Sequence, residues 1–240
     1  MNLIDVSASI KENGFAVLRG AISKRKAESV RGMIDDSIAD MDKDRHSLYQ
    51  DTSYCPELRA TPEITSLYTD SICKTSVANL LEFTPEDPKR GQIALRFKES
   101  GPLHLPRPHI DGFPYGNNVI PRDSISPFLF LVGIFLSDVT EEFHGNFTVF
   151  PATHKLNHQK YLLEGLGGFP GGSSEIGSTP PVQICAEAGD AIICHYYLGH
   201  APAINVSAKT RYAVFFRIGK AEGRIHQAEI MKNLWFGWRV

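Results

Sequence analysis

From about residue 91 onward, the sequence is a series of short apolar runs separated by proline, glycine and aspartate. The runs are rich in branched and aromatic residues, which favour pleated strands. They cover residues 92–98, 128–137, 146–150, 182–185, 191–195 and 210–218. No helical periodicity alternates with them, which argues against a parallel sheet built from βαβ units. The pattern predicts an antiparallel sandwich or barrel over about residues 91–220.

The first part of the chain, about residues 1–90, has a helix-rich pattern instead. Ser23 is a candidate N-cap for a helix over 24–41, whose apolar residues recur at helical spacing. A Thr-Pro pair at 61–62 predicts the start of another helix. No linker or internal repeat separates the two parts. We therefore predict a single domain over residues 1–240, mainly β with flanking helices.

Charge and cysteine content narrow the class of protein. The net charge of -2 lacks the basic excess that phosphate binding needs, so no nucleic-acid partner is predicted. The four cysteines form no CxxC pair and the N-terminus has no signal-peptide pattern, which favours a reduced, cytoplasmic protein. The longest apolar run, residues 127–136, is too short to span a bilayer, so no membrane partner is predicted either. The sequence carries no signal for an oligomeric state.

The sharpest local motif is His109-Ile110-Asp111, followed by Gly112. On an extended segment, residues i and i+2 point to the same side, so the imidazole and the carboxylate can approach one point. Glycine then allows the backbone to turn away. Two histidines and one carboxylate on one face of an octahedron leave three open positions, as non-haem Fe(II) oxygenases require. The alternative interpretation of the motif alone is a surface histidine beside a turn aspartate.

A second cluster begins at Gly189-Asp190. An apolar strand leads to His195, a turn leads to His200, and the next strand begins near Arg211. A buried arginine on a strand is costly unless it meets an anion. Because a guanidinium binds a carboxylate through two parallel hydrogen bonds, Arg211 is a candidate carboxylate clamp. A candidate metal ligand and a candidate clamp therefore lie on consecutive strands.

These motifs belong to a pattern that runs through most of the chain. Its segments are residues 12–20 (ENGFAVLRG), His109-Ile110-Asp111, residues 145–154 (GNFTVFPATH), and Gly189 through His200 with Asn205, Ser207 and Arg211. Together they resemble the phytanoyl-CoA dioxygenase-like family of Fe(II)/2-oxoglutarate-dependent oxygenases. The resemblance implies a double-stranded β-helix (jelly-roll, cupin-like) core with flanking helices.

The resemblance also implies a metal site and an activity. It implies Fe(II) bound by His109, Asp111 and His200, with Arg211 binding the distal carboxylate of 2-oxoglutarate. The implied enzyme is a non-haem dioxygenase that uses O₂ to hydroxylate an unactivated C–H bond of a small-molecule substrate, releasing succinate and CO₂. Gln92, on the strand before the His-x-Asp motif, is a candidate hydrogen-bond donor to 2-oxoglutarate and equally an ordinary strand residue.

Two positions depart from the family pattern. Ala152 stands where the family usually has glycine, and Ala201-Pro202 replaces the more usual Gly-Ser. Neither change removes a candidate ligand. Asp111 is present, so the chain does not resemble the halogenase members, in which a small residue at this position opens a halide site.

Other residues compete for these roles. His195 competes with His200 as the third ligand; the family's downstream spacing favours His200 and leaves His195 as a packed imidazole. Arg217 shares a strand face with Arg211 by parity and competes as the clamp, but the family spacing favours Arg211.

Four further residues have expected positions. His104 is either a loop surface group or a substrate contact. His154 is expected to be a structural turn residue, and Trp235 and Trp238 are expected to pack the C-terminus onto the core.

Two other classes of function remain open. A cupin-like metalloenzyme would use several of the histidines without 2-oxoglutarate and would consume O₂ in its absence. A non-catalytic barrel binding protein would bind iron weakly or not at all. In the favoured interpretation, the loops at 114–123 and 165–181 determine the substrate.

Overall fold

The computed structural model describes residues 3–39, 41, 49, 52–114, 120–121, 124–219 and 223–239. Within these residues, eight strands form two sheets and six α-helices lie around them. The helices are α1 (Leu3–Asn13), α2 (Lys24–Ile38), α3 (Pro62–Thr69), α4 (Ile72–Leu80), α5 (Thr153–Glu164) and α6 (Gly223–Lys232). The strands are β1 (Phe15–Leu18), β2 (Gln92–Arg96), β3 (Phe130–Phe135), β4 (Phe147–Val149), β5 (Val182–Ile184), β6 (Ala191–His195), β7 (His200–Pro202) and β8 (Arg211–Ile218).

The larger sheet has five strands in the order β1-β6-β3-β8-β2, and all of its pairings are antiparallel. Residues directly opposite each other on neighbouring strands share a face. Leu131 lies opposite both Cys194 and Arg217, which places these three side chains on one face. Phe130 lies opposite His195, so that histidine is on the other face.

The smaller sheet has three antiparallel strands in the order β5-β4-β7. It lies against the face of the larger sheet that carries Arg217, because the rings of Phe147 on β4 and Phe215 on β8 are 5.0 Å apart. Both β5 and β4 are short, and their inward side chains are buried. The two sheets therefore enclose an interior. We call the face of each sheet that lines this interior its inner face.

Helices cover the outer face of the larger sheet. Tyr68 of α3 packs on Phe216 of β8 with ring centroids 5.9 Å apart. The apolar stripe predicted for α2 contributes Ala27, Val30 and Ile34 to the buried core. Burying such stripes against the sheet is the main source of stability for helices of this length.

The helix starts predicted from the sequence are confirmed. Ser23 caps α2 by accepting a hydrogen bond from the backbone N–H of Lys26 at 3.2 Å. Thr61 caps α3 in the same way, with Pro62 in its first turn. The predicted end of α2 at Met41 is wrong, because the helix ends at Ile38.

All six predicted strand segments contain a strand, and the mainly β, antiparallel architecture is confirmed. The expectation that no helix alternates with the strands is wrong, because α5 lies between β4 and β5. Its buried residues include the polar Thr153, His154 and Asn157, so the helix lacks the apolar stripe that periodicity detects.

Two expectations concern the whole chain. All four cysteines are free, as expected for a chain without disulfides. Among the helices in the described segments, none combines the length and apolar character needed to cross a bilayer. The single domain over residues 1–240 and the cytoplasmic location stay predictions.

Candidate metal centre

The His-x-Asp segment is held as an extra strand beside β7. His109 and His200 exchange both backbone hydrogen bonds, at 2.9 and 3.0 Å. On its other side, residues 108–110 pair with 172–174, through Ile110 N–H to the Gly172 carbonyl at 2.8 Å and Ser174 N–H to the Pro108 carbonyl at 3.2 Å. The extended backbone turns His109 and Asp111 to the same side, as the sequence spacing predicts.

His109, Asp111 and His200 converge on one point. One ligating atom from each lies within 4.8 Å of the others. Nε2 of His109 is 3.6 Å and Nε2 of His200 is 3.8 Å from Oδ1 of Asp111. Since nitrogen and oxygen donors sit about 2.0–2.2 Å from a transition-metal ion, both distances are short enough for a shared ion.

Neighbouring groups orient the His200 ring. Its Nδ1 lies 3.0 Å from the Leu198 carbonyl, so the proton belongs on Nδ1 and the lone pair of Nε2 faces Asp111. The Phe147 ring packs on the imidazole at 5.2 Å. The His200 side chain is 7% exposed, whereas 43% of the His109 side chain is exposed. The centre is therefore open on the His109 side.

Asp111 is ionised. Burial alone would raise the pKa of its carboxyl, but Arg217 and the two histidines hold that pKa well below its ordinary value. Nη2 of Arg217 lies 2.6 Å from Oδ2 of Asp111. Metal binding needs a deprotonated carboxylate, and this site supplies one.

Arg211 lies on the inner face of β8 and is 3% exposed. Its Nε donates to the Gly145 carbonyl at 2.8 Å, and its Nη1 donates to the Ala94 carbonyl at 3.0 Å. Burial, with Arg96 nearby, lowers the pKa of Arg211 to about 9. No carboxylate within the described segments forms an ion pair with it. A buried cation without an acid fits an anionic ligand.

A second arginine strengthens this interpretation. Arg96 on β2 lies directly opposite Arg211 on β8, so both side chains start from the same face. Like charges opposite each other destabilise a sheet. The charge of Arg96 also contributes to the lowered pKa of Arg211.

The structure separates the two arginines that competed as the clamp. Arg217 lies on Asp111 and also donates from Nη2 to Oε1 of Gln92 at 2.8 Å. Arg211, at the other end of β8, donates to backbone carbonyls alone among the residues that the structure describes. Gln92 is thus on the inner face beside the candidate metal centre, and its role as a donor to 2-oxoglutarate stays a prediction.

His195 is a packed imidazole, as expected, and is not part of the triad. It lies on the outer face of the larger sheet, where its Nε2 bonds to the Leu234 carbonyl at 2.8 Å. Its Nδ1 accepts from the backbone N–H of Tyr197 at 3.1 Å. Trp235 and Trp238 pack on the ring, which confirms that they hold the C-terminus on the core.

The remaining histidines also lie away from the triad. His154 is fully buried, with its ring 5.3 Å from that of His195, but it lies in the first turn of α5, so the expected position in a turn is wrong. His104 lies in an exposed loop, where Nδ1 is 3.0 Å from the Pro102 carbonyl. Ala152, just before α5, has φ 63, a left-handed conformation. That conformation explains why glycine is usual at this position.

The loop at 165–181, expected to determine the substrate, pairs with the His109 strand, and the sequence analysis did not predict that pairing. Its residues 172–174 are the second neighbour of the His109 strand. Asn157 of α5 holds them in place by donating to Oγ of Ser174 at 2.8 Å and accepting from the backbone N–H of Glu175 at 2.9 Å. The other proposed substrate loop, 114–123, lies mostly outside the described residues.

Two further neighbours of Asp111 were missed. Arg217 was considered only as a clamp, although its inward parity was visible in the sequence. Tyr196 follows β6, and a Cβ added to Gly112 would lie 3.2 Å from its hydroxyl. This buried hydroxyl has no hydrogen-bond partner in the described part of the chain.

Several solved structures have a similar fold. HygX from Streptomyces hygroscopicus, with nickel and 2-oxoglutarate bound, is 16% identical with a TM-score of 0.60, covering 90% of this chain and 86% of that chain. The non-haem α-ketoglutarate-dependent carbocyclase SnoK from nogalamycin biosynthesis is 14% identical with a TM-score of 0.57, covering 91% and 84%. A nickel complex of the non-haem monooxygenase ThoJ is 14% identical with a TM-score of 0.51, covering 92% and 81%. These likenesses confirm the jelly-roll fold.

No curated protein matches the sequence. The sequence profile described as phytanoyl-CoA dioxygenase matches residues 10–213, which is most of the chain and includes all three triad residues and Arg211. The chain therefore belongs to the phytanoyl-CoA dioxygenase family.

Proposed function

We propose that this protein is a non-haem Fe(II)- and 2-oxoglutarate-dependent oxygenase that hydroxylates an unactivated C–H bond of a small molecule. The observation that carries the proposal is the convergence of His109, Asp111 and His200 in a chain of this family. The buried Arg211, without an acidic partner in the described segments, adds the cation that a dicarboxylate cosubstrate needs.

The donor set favours iron. Two imidazoles and one carboxylate on one face suit a mid-row metal and leave three positions open. Among the described residues the cluster of candidate ligands consists of His109, Asp111 and His200 and includes no cysteine. The site therefore lacks the soft donors that closed structural zinc sites use.

In the proposed mechanism the protein binds and orients the metal, the cosubstrate and the substrate, and it shields the reaction. The triad holds Fe(II) at one face, and Arg211 binds the distal carboxylate of 2-oxoglutarate at the far end of the inner face of β8. Bound Fe(II) with 2-oxoglutarate supplies the oxidation by O₂, which yields succinate, CO₂ and a hydroxylated substrate. The exposed side of His109 is where substrate would approach.

The small-molecule substrate class is supported by the structural neighbours. HygX has been solved with hygromycin B bound, and the epimerase SnoN with iron, α-ketoglutarate and nogalamycin RO. The carbocyclase and epimerase among them show that this fold serves more than one oxidative outcome. Hydroxylation is the outcome proposed here because Asp111 is retained.

The test is an anaerobic titration of the Fe(II) protein with 2-oxoglutarate. Chelation of the metal by the keto acid should produce a metal-to-ligand charge-transfer band in the wild type and in His104→Ala, whose exposed histidine lies outside the triad. The band should be missing in Asp111→Ala.

Turnover is then followed as succinate release across a panel of small molecules under O₂. O₂ consumption that does not depend on 2-oxoglutarate would favour the cupin-like alternative. A wild-type protein that gives neither the band nor tight Fe(II) binding would favour the non-catalytic barrel.

A further inference from the structure

Arg217 reaches the candidate metal centre from the larger sheet. Its Nη2 lies 2.6 Å from Oδ2 of Asp111 and 2.8 Å from Oε1 of Gln92. Its guanidinium also lies over the Phe128 ring, 5.9 Å from the centroid. Three contacts of different kinds therefore fix the position of this cation.

The two oxygens of Asp111 have different neighbours. Oδ1 faces both imidazoles, at 3.6 and 3.8 Å from Nε2 of His109 and of His200. Oδ2 faces away from them and bonds to Arg217. Because the Arg217 contact is much the shorter, rotation of the carboxylate would break a charge-assisted hydrogen bond.

We propose that Arg217, oriented by Gln92, is a positioning residue that restricts Asp111 to binding the metal through Oδ1 alone. This inference rests on the proposed function, because it concerns the same metal. Carboxylates bind metals through one oxygen or two. Because Oδ2 of Asp111 is engaged in the ion pair with Arg217, the carboxylate would bind the metal through Oδ1 only.

The binding mode decides how many positions remain for the reaction. An octahedral ion with three protein donors has three open positions. A 2-oxoglutarate chelate uses two of them and O₂ needs the third. A two-oxygen Asp111 would take one of these positions. Arg217 thereby preserves the full set of open positions.

Gln92 gains a role different from the one suggested by the sequence. Its Oε1 accepts from the same Nη2 that holds Asp111, so the amide keeps the guanidinium directed at the carboxylate. Gln92 on β2 lies opposite Phe215 on β8, which fixes its side chain on the inner face. Replacing Gln92 should therefore loosen Arg217 without removing its charge.

The experiment compares Arg217→Met, Arg217→Lys and Gln92→Leu with the wild type, using Co(II) in place of Fe(II). Arg19→Met is the matched control, because Arg19 forms an ion pair of the same length, 2.6 Å, with Asp190, which is not a triad residue. Visible absorption of the Co(II) proteins reports ligand number and geometry without any turnover. Calorimetry measures affinity for Co(II), for 2-oxoglutarate and for glutarate, which has the distal carboxylate but no keto oxygen.

In Arg217→Met, the Co(II) spectrum should change before any 2-oxoglutarate is added, and 2-oxoglutarate should bind more weakly, because Oδ2 of Asp111 would compete with it for a position on the metal. Arg217→Lys should restore most of both properties, and Gln92→Leu should be intermediate. Arg19→Met should match the wild type, and glutarate affinity should stay unchanged throughout.

An Arg217→Met protein with a wild-type Co(II) spectrum and wild-type 2-oxoglutarate affinity would overturn the inference. Equal losses of glutarate and 2-oxoglutarate affinity would also overturn it, because Arg217 would then bind the distal carboxylate directly. If the wild-type protein binds no Co(II), or if its Co(II) spectrum does not change when 2-oxoglutarate is added, the proposed function and this inference are both overturned.

Discussion

His109 and His200 exchange both of their backbone hydrogen bonds, at 2.9 and 3.0 Å. Two candidate metal ligands that are far apart in the sequence are thereby joined as neighbours in one sheet. Ligands held by paired strands are positioned more accurately than ligands on free loops. The metal centre should therefore be largely formed before the metal arrives, and removal of one imidazole should leave the backbone pairing intact.

Replacing His109 or Asp111 by alanine should abolish succinate formation, because each change removes one donor to the metal. The metal-free stability should change little at His109, whose side chain is half exposed. Metal present at about one hundred times its dissociation constant should stabilise the wild type by about 2.7 kcal/mol, and this gain should vanish in both variants. Succinate assays and urea unfolding with and without Fe(II) measure the two effects.

His104→Ala serves as the control for this first prediction and should retain metal stabilisation, because His104 lies outside the triad. Full activity in either triad variant after metal exchange would contradict the proposed ligand set.

Arg211→Lys should chiefly raise the Michaelis constant for 2-oxoglutarate, because a lysine keeps the charge but cannot form two parallel hydrogen bonds to a carboxylate. Truncation to alanine would also leave the Gly145 and Ala94 carbonyls without their donors, at roughly 1–3 kcal/mol for each buried group. The lysine variant therefore separates binding from folding. Steady-state kinetics with varied 2-oxoglutarate measure the effect, and an unchanged Michaelis constant would contradict the clamp.

Gly145→Ala should weaken both stability and 2-oxoglutarate binding. Gly145 has φ +76, and a Cβ there would lie 2.9 Å from Cβ of Arg96 and 3.3 Å from Cβ of Arg211. The left-handed conformation alone costs roughly 1–2 kcal/mol with a side chain. The clash adds to that cost and displaces the arginine.

Gly20→Ala is the matched control for Gly145→Ala, because Gly20 has φ +60 and open space around its Cβ position. It should lose a similar conformational free energy and keep its 2-oxoglutarate affinity. Calorimetry of 2-oxoglutarate binding distinguishes the two variants, and equal affinities would show that Gly145 does not support Arg211.

The protein should lose stability as the pH falls below about 6.5, the ordinary pKa of histidine. Burial, with His195 nearby, lowers the pKa of His154 to about 3, and burial lowers the pKa of His195 to about 4. Below about pH 6.5 the two histidines are protonated in the unfolded chain but stay neutral in the folded protein, so acidification favours unfolding. Each histidine lowers the free energy of unfolding by up to about 1.4 kcal/mol for each pH unit of acidification. Above neutral pH neither histidine makes the free energy of unfolding depend on pH.

Urea unfolding at several pH values measures that slope. His195→Gln should show a shallower dependence than the wild type even if its absolute stability is lower, whereas His104→Ala should keep the wild-type slope. Identical slopes in all three proteins would contradict the lowered pKa of His195.

The sequence was sufficient for features that depend on local spacing. Alternation on an extended segment placed His109 and Asp111 on one side, and the inward parity of Arg211 followed from the same rule. It was insufficient where the buried contacts are polar. Helix α5 buries Asn157 rather than an apolar stripe, so periodicity did not reveal it.

Local sequence patterns also could not predict the contacts between segments that are distant in the sequence. The pairing of residues 172–174 with the His109 strand has no sequence signal, because a stretch rich in glycine, serine and proline reads as a loop. The Arg217–Asp111 contact joins a strand of the larger sheet to the segment beside the smaller one. Only the packing of the two sheets creates it.

Strand β8 carries Arg211 at its first residue and Arg217 near its end, both directed inward. At about 3.3 Å per residue, the two Cα atoms are roughly 20 Å apart along one stiff element. If Arg211 binds the cosubstrate as proposed, this one strand sets the distance between the distal carboxylate of 2-oxoglutarate and the Asp111 carboxylate. Surface loops can diverge to admit new substrates while the distance between Arg211 and Arg217, and with it the reaction, stays the same.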